Sequence, residues 1–408
     1  MMDAEAVPTR PTDRIEQLDL LRGFAIFGIL VVNMTIFSGS AWNTETTTGA
    51  ADRLAYQAIE LLASGKFLNL FSFLFGVGFT LQLRRVTERS GRFAPLYSRR
   101  LVGLFLIGLI HGIFIASVDT LQTYALLGFL LLLVSRIPRR GLLLVAALCF
   151  LLPVAYSAIE SGMIWVGELD FASSKSLAET DPVTPWRKVY HDGDYSTLVS
   201  ARMAFWWRIY TSPDWYVGML GHEFVLFLLG MYAGRIGFFE NLNLHLSQLK
   251  IAIPWLAVSG IALTLASLNS AAYLSAIPDS VSASLQDRIF LLGALSLSGA
   301  YASGLIVLTQ IPVWKHRLVP LALAGRMALT NYVLQSVICS LVFYESGLGL
   351  YDKVGPAHGL ILTVVIFVTQ VLLSTWWLRV ARFGPLEWLW RCSTYRSIQP
   401  LLKSRVAG

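Results

Sequence analysis

The amino-acid sequence predicts an all-α polytopic integral membrane protein with about ten transmembrane helices. Of its 408 residues, 55% are hydrophobic and only 14% are charged, whereas about a quarter of a soluble domain is charged. The mean hydropathy is +0.61. The apolar residues fall in repeated runs of roughly 17–25 residues, the length that crosses a bilayer core of about 30 Å. Together these observations exclude a soluble globular domain.

The amino-terminal part of the chain is predicted to be a polar arm, 1–18, followed by a five-helix membrane half, 19–159. The five spans are expected at Leu20–Phe37, Phe67–Leu83, Leu101–Ser117, Leu121–Val134 and Gly141–Ile159. Within the first loop, Asp52–Ser64 has the amphipathic pattern of a helix lying at the membrane interface.

A segment rich in Trp, Tyr and acidic residues, 160–215, follows and is too polar to cross a membrane. It is predicted to form a cap, before a second five-helix half, 216–395, and a basic tail, 396–408. The five spans of this half are expected at Tyr216–Ala233, Ile251–Leu268, Ile289–Ile311, Val319–Tyr344 and Gly359–Val380.

Loop charges predict the orientation of the helices. With a cytoplasmic amino terminus, 21 of the 32 Lys and Arg residues fall in cytoplasmic segments and nine fall in external ones. Positive residues collect on the cytoplasmic side of membrane proteins. Both termini are therefore predicted to be cytoplasmic, and the 160–215 loop is predicted to be extracytoplasmic.

Composition also narrows the classes of function. Cys149, Cys339 and Cys392 have no CxxC spacing, so neither a disulfide framework nor a metal site is predicted. The net charge of +7 does not indicate nucleic-acid binding, because the positive residues collect at helix ends. The sequence contains no P-loop, GxSxG or HExxH pattern, and its first apolar run lacks a signal-peptide cleavage site.

The turn between the third and fourth spans contains the main candidate site. His111 and Asp119 lie there, eight residues apart, between two uncharged apolar runs. Polar groups in such surroundings are costly in hydrocarbon and usually have a structural or functional reason to be there. A carboxylate beside a neutral histidine fixes one tautomer and leaves the other ring nitrogen available as a general base. The alternative is a buried histidine that only bonds a backbone carbonyl or a neighbouring helix.

Polar residues in the first two spans are candidate supporting groups. Asp19 and Arg22 stand at i and i+3 and are expected to form a local salt bridge, unless Arg22 meets an anionic ligand. Asn33 is expected to contact a neighbouring helix or a ligand. Lys66, at the start of the second span, either extends to the outer interface or supports the site.

The carboxy-terminal half adds four candidates. Arg326 lies about two turns into the ninth span, with Asn331 five residues deeper. A charge at this depth must pair or face a cavity, and Asp19 and Glu387 are its expected partners. His222 opens the sixth span on the outer side, where it is either solvated or lines an outer cavity.

Five motifs resemble, in order, the YeiB-like membrane proteins, catalogued as domain-of-unknown-function family 418. They are Leu18 to Asn33, Lys66 to Gly76, the His111–Asp119 hairpin, Gly325 to Tyr332 and Gly384 to Arg391. The resemblance covers about 15–395. More distantly, these proteins are similar to transmembrane acyltransferases, which include heparan-α-glucosaminide N-acetyltransferase and bacterial O-acyltransferases of surface glycans.

The resemblance implies ten or eleven helices in a bacterial inner membrane. It also implies transfer of an acyl group from a cytoplasmic acyl-CoA-like donor, such as acetyl-CoA, to an extracytoplasmic sugar. The chain departs from the acetyltransferase in one respect. There the catalytic histidine follows the first span, whereas residues 34–66 of this chain contain no histidine. His111 would have to supply the base from a different helix.

The leading hypothesis is therefore an acyltransferase-like membrane enzyme. His111 is expected to be the general base or a transient acyl carrier, and Asp119 is expected to orient it. The donor's phosphates are expected to meet Arg22 and Arg326.

Further groups complete this hypothesis. The basic loop 84–100, which begins with Arg84 and Arg85, is expected to help bind the donor. The cap is expected to hold a glycan or lipid-linked acceptor. The lipid bilayer is the surrounding partner, a homodimer is considered, and no metal is expected.

Two other classes of function remain open at this point. A transporter or exporter of a small metabolite or lipid-linked group would use the same intramembrane charges as a substrate path. A non-catalytic membrane scaffold would use them only to hold helices together.

Overall fold

The computed structural model describes residues 15–41, 49–89, 93–117, 119–166, 189–191, 193–275 and 277–403. The named elements in these ranges are all helices, and one isolated bridge joins Ala381 to Leu402. This confirms the all-α prediction for the described part of the chain. Most of the predicted amino-terminal arm, the middle of the predicted cap and the end of the basic tail lie outside the described residues.

The amino-terminal half consists of six helices. They are α1 (Glu16–Phe37), α2 (Ala50–Leu62), α3 (Lys66–Arg89), α4 (Phe93–Ile110), α5 (Leu121–Val134) and α6 (Arg139–Val166). The helix α2 is amphipathic, as predicted, and buries Ala55 and Ile59. Its Asp52 Oδ1 accepts a hydrogen bond from the backbone N–H of Ala357 at 3.0 Å, which ties it to the second half of the chain.

The remaining helices follow the gap at 167–188. They are α7 (Tyr195–Thr211), α8 (Pro213–Met219), α9 (Val225–Arg235), α10 (Leu242–Leu268), α11 (Ala271–Leu274), α12 (Asp279–Leu308), α13 (Pro312–Arg317), α14 (Val319–Arg326), α15 (Ala328–Phe343), α16 (Pro356–Val380) and α17 (Pro385–Tyr395). Four of them begin at a proline, a residue whose fixed φ and missing N–H suit the first helical position.

Eight helices in the described ranges are long and apolar enough to cross a membrane. They lie at Glu16–Phe37, Ala50–Glu88, Phe93–Ile115, Arg139–Gly162, Pro213–Arg235, Leu242–Leu268, Asp279–Leu308 and Pro356–Val380. The predicted fourth span is α5, which has 14 residues. It reaches only about 21 Å at 1.5 Å per residue, which is short of a bilayer core.

The predicted ninth span is not one continuous helix. It divides into Pro312–Arg326 and Ala328–Phe343, which are bent by 76°. Met327, at the break, has φ −111° and ψ 31°, outside the helical range. The backbone N–H groups of Leu329 and Thr330 instead donate to Glu387 Oε1 at 2.7 and 3.1 Å. A carboxylate from α17 therefore caps the second half of the broken span.

The first helix lies centrally, in contact with α3, α14, α15 and α16. Its crossing with α14 is unusually close because a glycine stands on each side. A Cβ at Gly325 would lie 1.9 Å from the Asp19 carbonyl oxygen, and one at Gly23 would lie 2.1 Å from the Leu321 carbonyl oxygen. Only glycine permits this approach of two backbones.

Two helices contain a single π-helical turn, and each turn contains a histidine. The first, His111–Ile115, ends α4, and the second, Leu220–Phe224, joins α8 to α9. The first is closed by a hydrogen bond from Ala116 N to His111 O at 2.9 Å. Such turns are rare and occur frequently at functional sites.

Candidate functional site

The predicted contact between His111 and Asp119 is present. His111 Nδ1 lies 3.0 Å from Asp119 Oδ1, and only 1% and 2% of their side-chain surfaces are exposed. An acidic partner at Nδ1 favours the tautomer with the proton on that nitrogen. The other ring nitrogen, Nε2, is buried and has no hydrogen-bond partner among the described residues. The pair thus has the geometry of an oriented imidazole with a free basic nitrogen.

The first residues of α5 hold Asp119 from the other side. The backbone N–H of Gln122 donates to Asp119 Oδ2 at 3.0 Å, so the carboxylate also satisfies a free N–H at the helix start. Gly108 allows the hairpin to close, because a Cβ there would lie 2.7 Å from Asp119 Oδ2. Both carboxylate oxygens therefore have fixed partners.

The side chain of Gln122 joins three elements. Its Nε2 donates to the Gly108 carbonyl at 3.1 Å, and its Oε1 accepts from Trp206 Nε1 at 2.6 Å. Trp206 belongs to α7, the described helix of the predicted cap. The cap is thereby bonded to the hairpin that contains His111.

Two further side chains of α7 bind the end of the first π turn. Arg202 Nη1 and the Tyr195 hydroxyl donate to the Phe114 carbonyl at 3.1 and 3.0 Å. Carbonyls at the end of a helix lack intrahelical partners, and a cation there is favoured by the helix dipole. Arg202 is 2% exposed. The helix α7 therefore covers the site.

Tyr332 of α15 forms another wall of the site. Its ring centroid lies 5.1 Å from that of His111, and its hydroxyl hydrogen-bonds Thr120. Tyr332 is 6% exposed and His111 is 1% exposed. The described conformation is thus a closed one, in which the imidazole is shielded from both solvent and lipid.

Asp19 and Arg22 are paired as predicted. Arg22 Nη1 donates to Asp19 Oδ1 at 3.0 Å, and 29% of the Arg22 side chain is exposed. The adjacent crossing of α1 with α14 places Gly325 against the Asp19 backbone. Arg326 therefore lies at the same level of the bundle, and its Nη2 donates to the Arg382 carbonyl at 3.4 Å.

Glu387 was expected to pair with Arg326, but its hydrogen bonds go elsewhere. Its Oε1 accepts from the two backbone N–H groups at the start of α15, and its Oε2 accepts from the Thr330 hydroxyl at 2.5 Å. Asn331 lies beside this break and bonds the Ala324 carbonyl and Ser374 Oγ, both at 3.0 Å. Glu387 and Asn331 thus stabilise the broken span.

The remaining residues that were expected to bind the acyl donor or to support the site are spread over the molecule. Arg84 forms a salt bridge with Glu240 and 46% of its side chain is exposed, whereas Arg85 is half-buried. Asn33 is half-buried within α1. None of these three is part of the His111 cluster in the described contacts.

Lys66 and His222 form part of a separate polar region. Lys66 is 0% exposed and its Nζ donates to the Glu60 carbonyl at 3.0 Å, so the expectation that it extends to the interface is wrong. Burial between α3 and α12 leaves its ammonium near the Phe290 ring, 4.6 Å from the centroid. His222 Nε2 lies 2.8 Å from Asn69 Oδ1, a partner that sequence reasoning missed.

No group of three His, Cys, Asp or Glu side chains within the described ranges is arranged to hold a metal ion. The arrangement at His111 consists of an imidazole, a carboxylate and the covering helix α7. Such an arrangement can abstract a proton from a hydroxyl or amine.

Comparison with known sequences gives two family matches that divide the chain. Residues 14–220 match the family described as "Heparan-alpha-glucosaminide N-acetyltransferase, catalytic". Residues 233–397 match the family described as "Protein of unknown function (DUF418)". The His111–Asp119 hairpin lies in the first region, and Arg326, Asn331 and Glu387 lie in the second.

Three bacterial relatives align along nearly the whole chain. "Uncharacterized protein YxaH" of Bacillus subtilis (strain 168) is 34% identical, over 97% of this chain and 98% of the relative. "Uncharacterized 39.9 kDa protein in amylase 3'region" of Bacillus acidopullulyticus is 28% identical, over 98% and 99%. "Uncharacterized protein YeiB" of Escherichia coli (strain K12) is 27% identical, over 96% and 98%. The chain therefore belongs to the YeiB-like family of helical membrane proteins, with an amino-terminal half similar to the catalytic region of a membrane acetyltransferase.

Proposed function

We propose that this protein is a membrane-embedded acyltransferase, with His111 as its general base. It moves an acyl group, such as acetyl, from a cytoplasmic acyl-CoA-like thioester to an extracytoplasmic glycan or lipid-linked acceptor. The match of 14–220 to an acetyltransferase catalytic region supports this class of reaction. The observation that carries the proposal is the buried pair of His111 and Asp119 within that region, with Nε2 left without a partner.

The chemistry needs a base at one ring nitrogen and an anchor at the other. Asp119 accepts a hydrogen bond from Nδ1–H, which keeps its proton, and Nε2 takes the proton from the acceptor hydroxyl or amine. The deprotonated oxygen or nitrogen attacks the thioester carbonyl. The carbon–sulfur bond then breaks, and the leaving thiolate takes the proton back from Nε2. The products are an ester or amide and a free thiol.

The acceptor can reach Nε2 only when the site opens, because His111 is 1% exposed. Side chains of the cap helix α7, those of Arg202, Tyr195 and Trp206 among them, bond it to the hairpin and to the start of α5. Release of these bonds would expose the turn without unfolding a transmembrane helix. The cap is therefore the element that admits the acceptor.

The donor enters from the opposite side in this proposal. Positive loop charge supports cytoplasmic termini in a bacterial inner membrane, and the bacterial relatives are consistent with that location. Arg22 and Arg326 lie at the same level of the bundle and would meet the donor's phosphates. Arg84 would have to break its salt bridge with Glu240 before it could bind a phosphate of the donor.

The proposal is tested with His111→Ala in membranes supplied with radiolabelled acetyl-CoA. A positioned base contributes about 10²–10⁴-fold in rate, so transfer of label to membrane glycans or lipids should fall by that order. The matched control is His316→Ala, because His316 is exposed and bonds only within its own helix turn. Full activity in the His111 variant, at equal amounts of inserted protein, would refute the assignment.

The same preparations separate transfer from transport. An acyltransferase produces labelled product that survives washing and contains a new covalent bond. A transporter in proteoliposomes exchanges an unchanged solute across the bilayer and leaves no labelled product. Counterflow without covalent change would therefore replace the proposed enzyme with a carrier.

A further inference from the structure

A group of arginines lies where α4 and α17 pack against each other. Arg100 of α4 is half-buried, and its guanidinium carbon lies over the Trp390 ring of α17, 3.7 Å from the ring centroid. The same indole donates from Nε1 to the Arg100 carbonyl at 2.7 Å. A Cβ at Gly103 would lie 3.1 Å from the Trp390 ring, so the two helices are in close contact here. An aromatic ring, and not a carboxylate, therefore holds the Arg100 guanidinium in place.

The next residue of α17 supplies a second guanidinium of the same kind. The Arg391 guanidinium carbon lies 4.3 Å from the Phe383 ring centroid and 5.6 Å from that of Tyr395. Arg100 interacts electrostatically with Tyr395, with Arg391 and with Arg22 of α1. The two arginines thus share a neighbour in Tyr395, and a third guanidinium acts on them from α1.

The carboxylates within about one turn of these arginines have other partners. Asp19 accepts from Arg22. Glu387 precedes Arg391 by four residues, but its two oxygens bind the start of α15. No carboxylate is among the charged groups that act on Arg100, and its guanidinium has neither a salt bridge nor a hydrogen bond to another described residue. Three guanidiniums therefore stand against two carboxylates, and Arg100 carries the excess positive charge.

The depth of Arg100 in the membrane makes this excess charge significant. Arg100 lies about two turns into the candidate span that begins at Phe93, and a charge within a span must pair or face a polar cavity. Contact with an aromatic face leaves the in-plane N–H groups of a guanidinium available, and these match the oxygens of a phosphate in a bidentate arrangement. The geometry at Arg100 therefore suits a phosphate group.

The surface beside these arginines is apolar and exposed. Leu389 of α17 and two side chains of the tail, Ile398 and Leu402, are exposed large hydrophobic residues. The tail is held against α17, because Trp388 Nε1 donates to the Gln399 carbonyl at 2.7 Å. Exposed apolar side chains beside cationic ones are typical of a segment that lies in the membrane interface. A ligand that joins a phosphate to acyl chains satisfies both features, whereas a soluble phosphate satisfies only the first.

We propose that Arg100 and Arg391 bind the head-group phosphate of an anionic phospholipid, such as phosphatidylglycerol. The guanidiniums donate to the phosphate oxygens, and the exposed apolar residues of α17 and the tail contact the acyl chains. Basic pockets between transmembrane helices on the cytoplasmic side bind head groups of this kind, and the loop charges predict that side for Arg100. The site lies eleven residues before His111, about 16 Å along α4, and lipid binding does not depend on acyl transfer.

The experiment is native mass spectrometry of the purified, delipidated protein in detergent, with no acyl donor present. The probes are phosphatidylglycerol and phosphatidylcholine with identical acyl chains, each titrated separately. We expect the first phosphatidylglycerol to bind at least about 10-fold more tightly, because hydrogen bonds between charged partners are the stronger ones and choline neutralises the other head group.

Two substitutions at one position separate charge from shape. Arg100→Gln should lose most of the preference for phosphatidylglycerol. Arg100→Lys keeps the charge but not the planar set of donors, and should retain part of it. The matched control is Arg317→Gln, because Arg317 is exposed, lies near a tryptophan ring at 5.6 Å and belongs to the same predicted side. It removes the same charge and should keep the full preference. Equal thermal unfolding temperatures in phosphatidylcholine verify that the variants are folded.

Several outcomes would overturn the proposal. Equal affinities for the two lipids would mean that the arginines select no head group. An unchanged preference in Arg100→Gln would place the anionic lipid elsewhere, and an equal loss in Arg317→Gln would attribute the preference to net charge. Displacement of bound phosphatidylglycerol by coenzyme A would assign these arginines to the phosphates of the acyl donor instead of a lipid.

Discussion

His111 and Asp119 are a coupled pair in which each polar atom except one has a defined partner. Asp119 uses both oxygens, one for the imidazole and one for the backbone N–H of Gln122, the second residue of α5. An amide in its place has one accepting oxygen for these two donors. The carboxylate therefore fixes the tautomer of His111 and the start of a helix at the same time.

Asp119→Asn tests this double role. If the amide oxygen remains with Gln122, the amide nitrogen faces His111 and forces the proton onto Nε2, where it blocks the base. We expect acyl transfer to fall by about 10²–10⁴-fold, and the free energy of unfolding to fall by about 1–3 kcal/mol because a buried group loses its partner. Acetyl-transfer assays and thermal unfolding in detergent measure the two effects.

A variant that unfolds at the wild-type temperature but has lost activity would assign Asp119 to catalysis alone. Normal activity with lowered stability would make the pair structural, which is the simpler interpretation of a buried histidine. Thr120→Ser, at the neighbouring position of the same turn, is the matched control and should change neither measurement appreciably.

Contacts between side chains that are close along the chain could be predicted from the sequence. Contacts between side chains that are far apart along the chain could not. The pairs His111–Asp119 and Asp19–Arg22 follow from a hairpin turn and from i,i+3 spacing on a helix. Gln122, Arg202 and Tyr332 escaped prediction because their roles depend on α7 and α15 packing against the hairpin. Lys66 was misjudged because its burial is set by α12, far along the chain.

At the scale of elements, the helix α7 covers the candidate site. Its start is fixed by Asp194, whose Oδ1 accepts from the backbone N–H of Thr197 at 2.8 Å. Hydrogen bonds from Thr197 and Ser196 lower the pKa of Asp194. The capping interaction is thus fully present above the ordinary pKa of an aspartate and is lost as pH falls through the lowered value.

Acidification should therefore loosen the cap helix. We expect the amide protons at the start of α7 to exchange faster below the lowered pKa of Asp194, after correction for the intrinsic pH dependence of exchange. Asp194→Asn retains a good N-cap without a titrating group, and should show no such acid-dependent change. Hydrogen exchange read by mass spectrometry checks this, and identical pH profiles for the two proteins would exclude Asp194 as the cause.

The positions of the helices were predicted well where the apolar runs are uninterrupted. They were predicted less well where a helix bends or breaks. All ten predicted apolar segments are largely helical. The break at Met327 follows Gly325 but has no adjacent proline, so the sequence did not predict it. It is set by the carboxylate of Glu387, which belongs to α17 and binds N–H groups at the start of α15. Neither π turn has a residue pattern that distinguishes it from an ordinary α-helical turn.

On the scale of the whole molecule, the two halves meet around α1. The glycine crossing with α14 and the Asp52–Ala357 hydrogen bond both join the acetyltransferase-like half to the second half. The two halves also meet at the candidate site, because Tyr332 belongs to the second half and packs on His111. The candidate site therefore includes residues from both family regions of the chain.

The proposed orientation leads to a direct labelling experiment. In a background with the three native cysteines replaced by serine, Ser200→Cys on the exposed face of α7 should react with a membrane-impermeant maleimide in intact spheroplasts. Ser397→Cys, exposed in the tail, should react only after the membrane is permeabilised. The reverse pattern would invert the protein in the membrane and place the cap beside the acyl donor.

The π turn that ends α4 makes the candidate site sensitive to chain length rather than to side-chain identity alone. It spans His111–Ile115 and is closed by the hydrogen bond between the backbones of Ala116 and His111. Deleting Ile113 would let an ordinary α turn form and would rotate the following residues by about 100°. The Phe114 carbonyl would then turn away from Arg202 and Tyr195. A one-residue deletion would therefore detach the cap while every polar side chain discussed above remained in the protein.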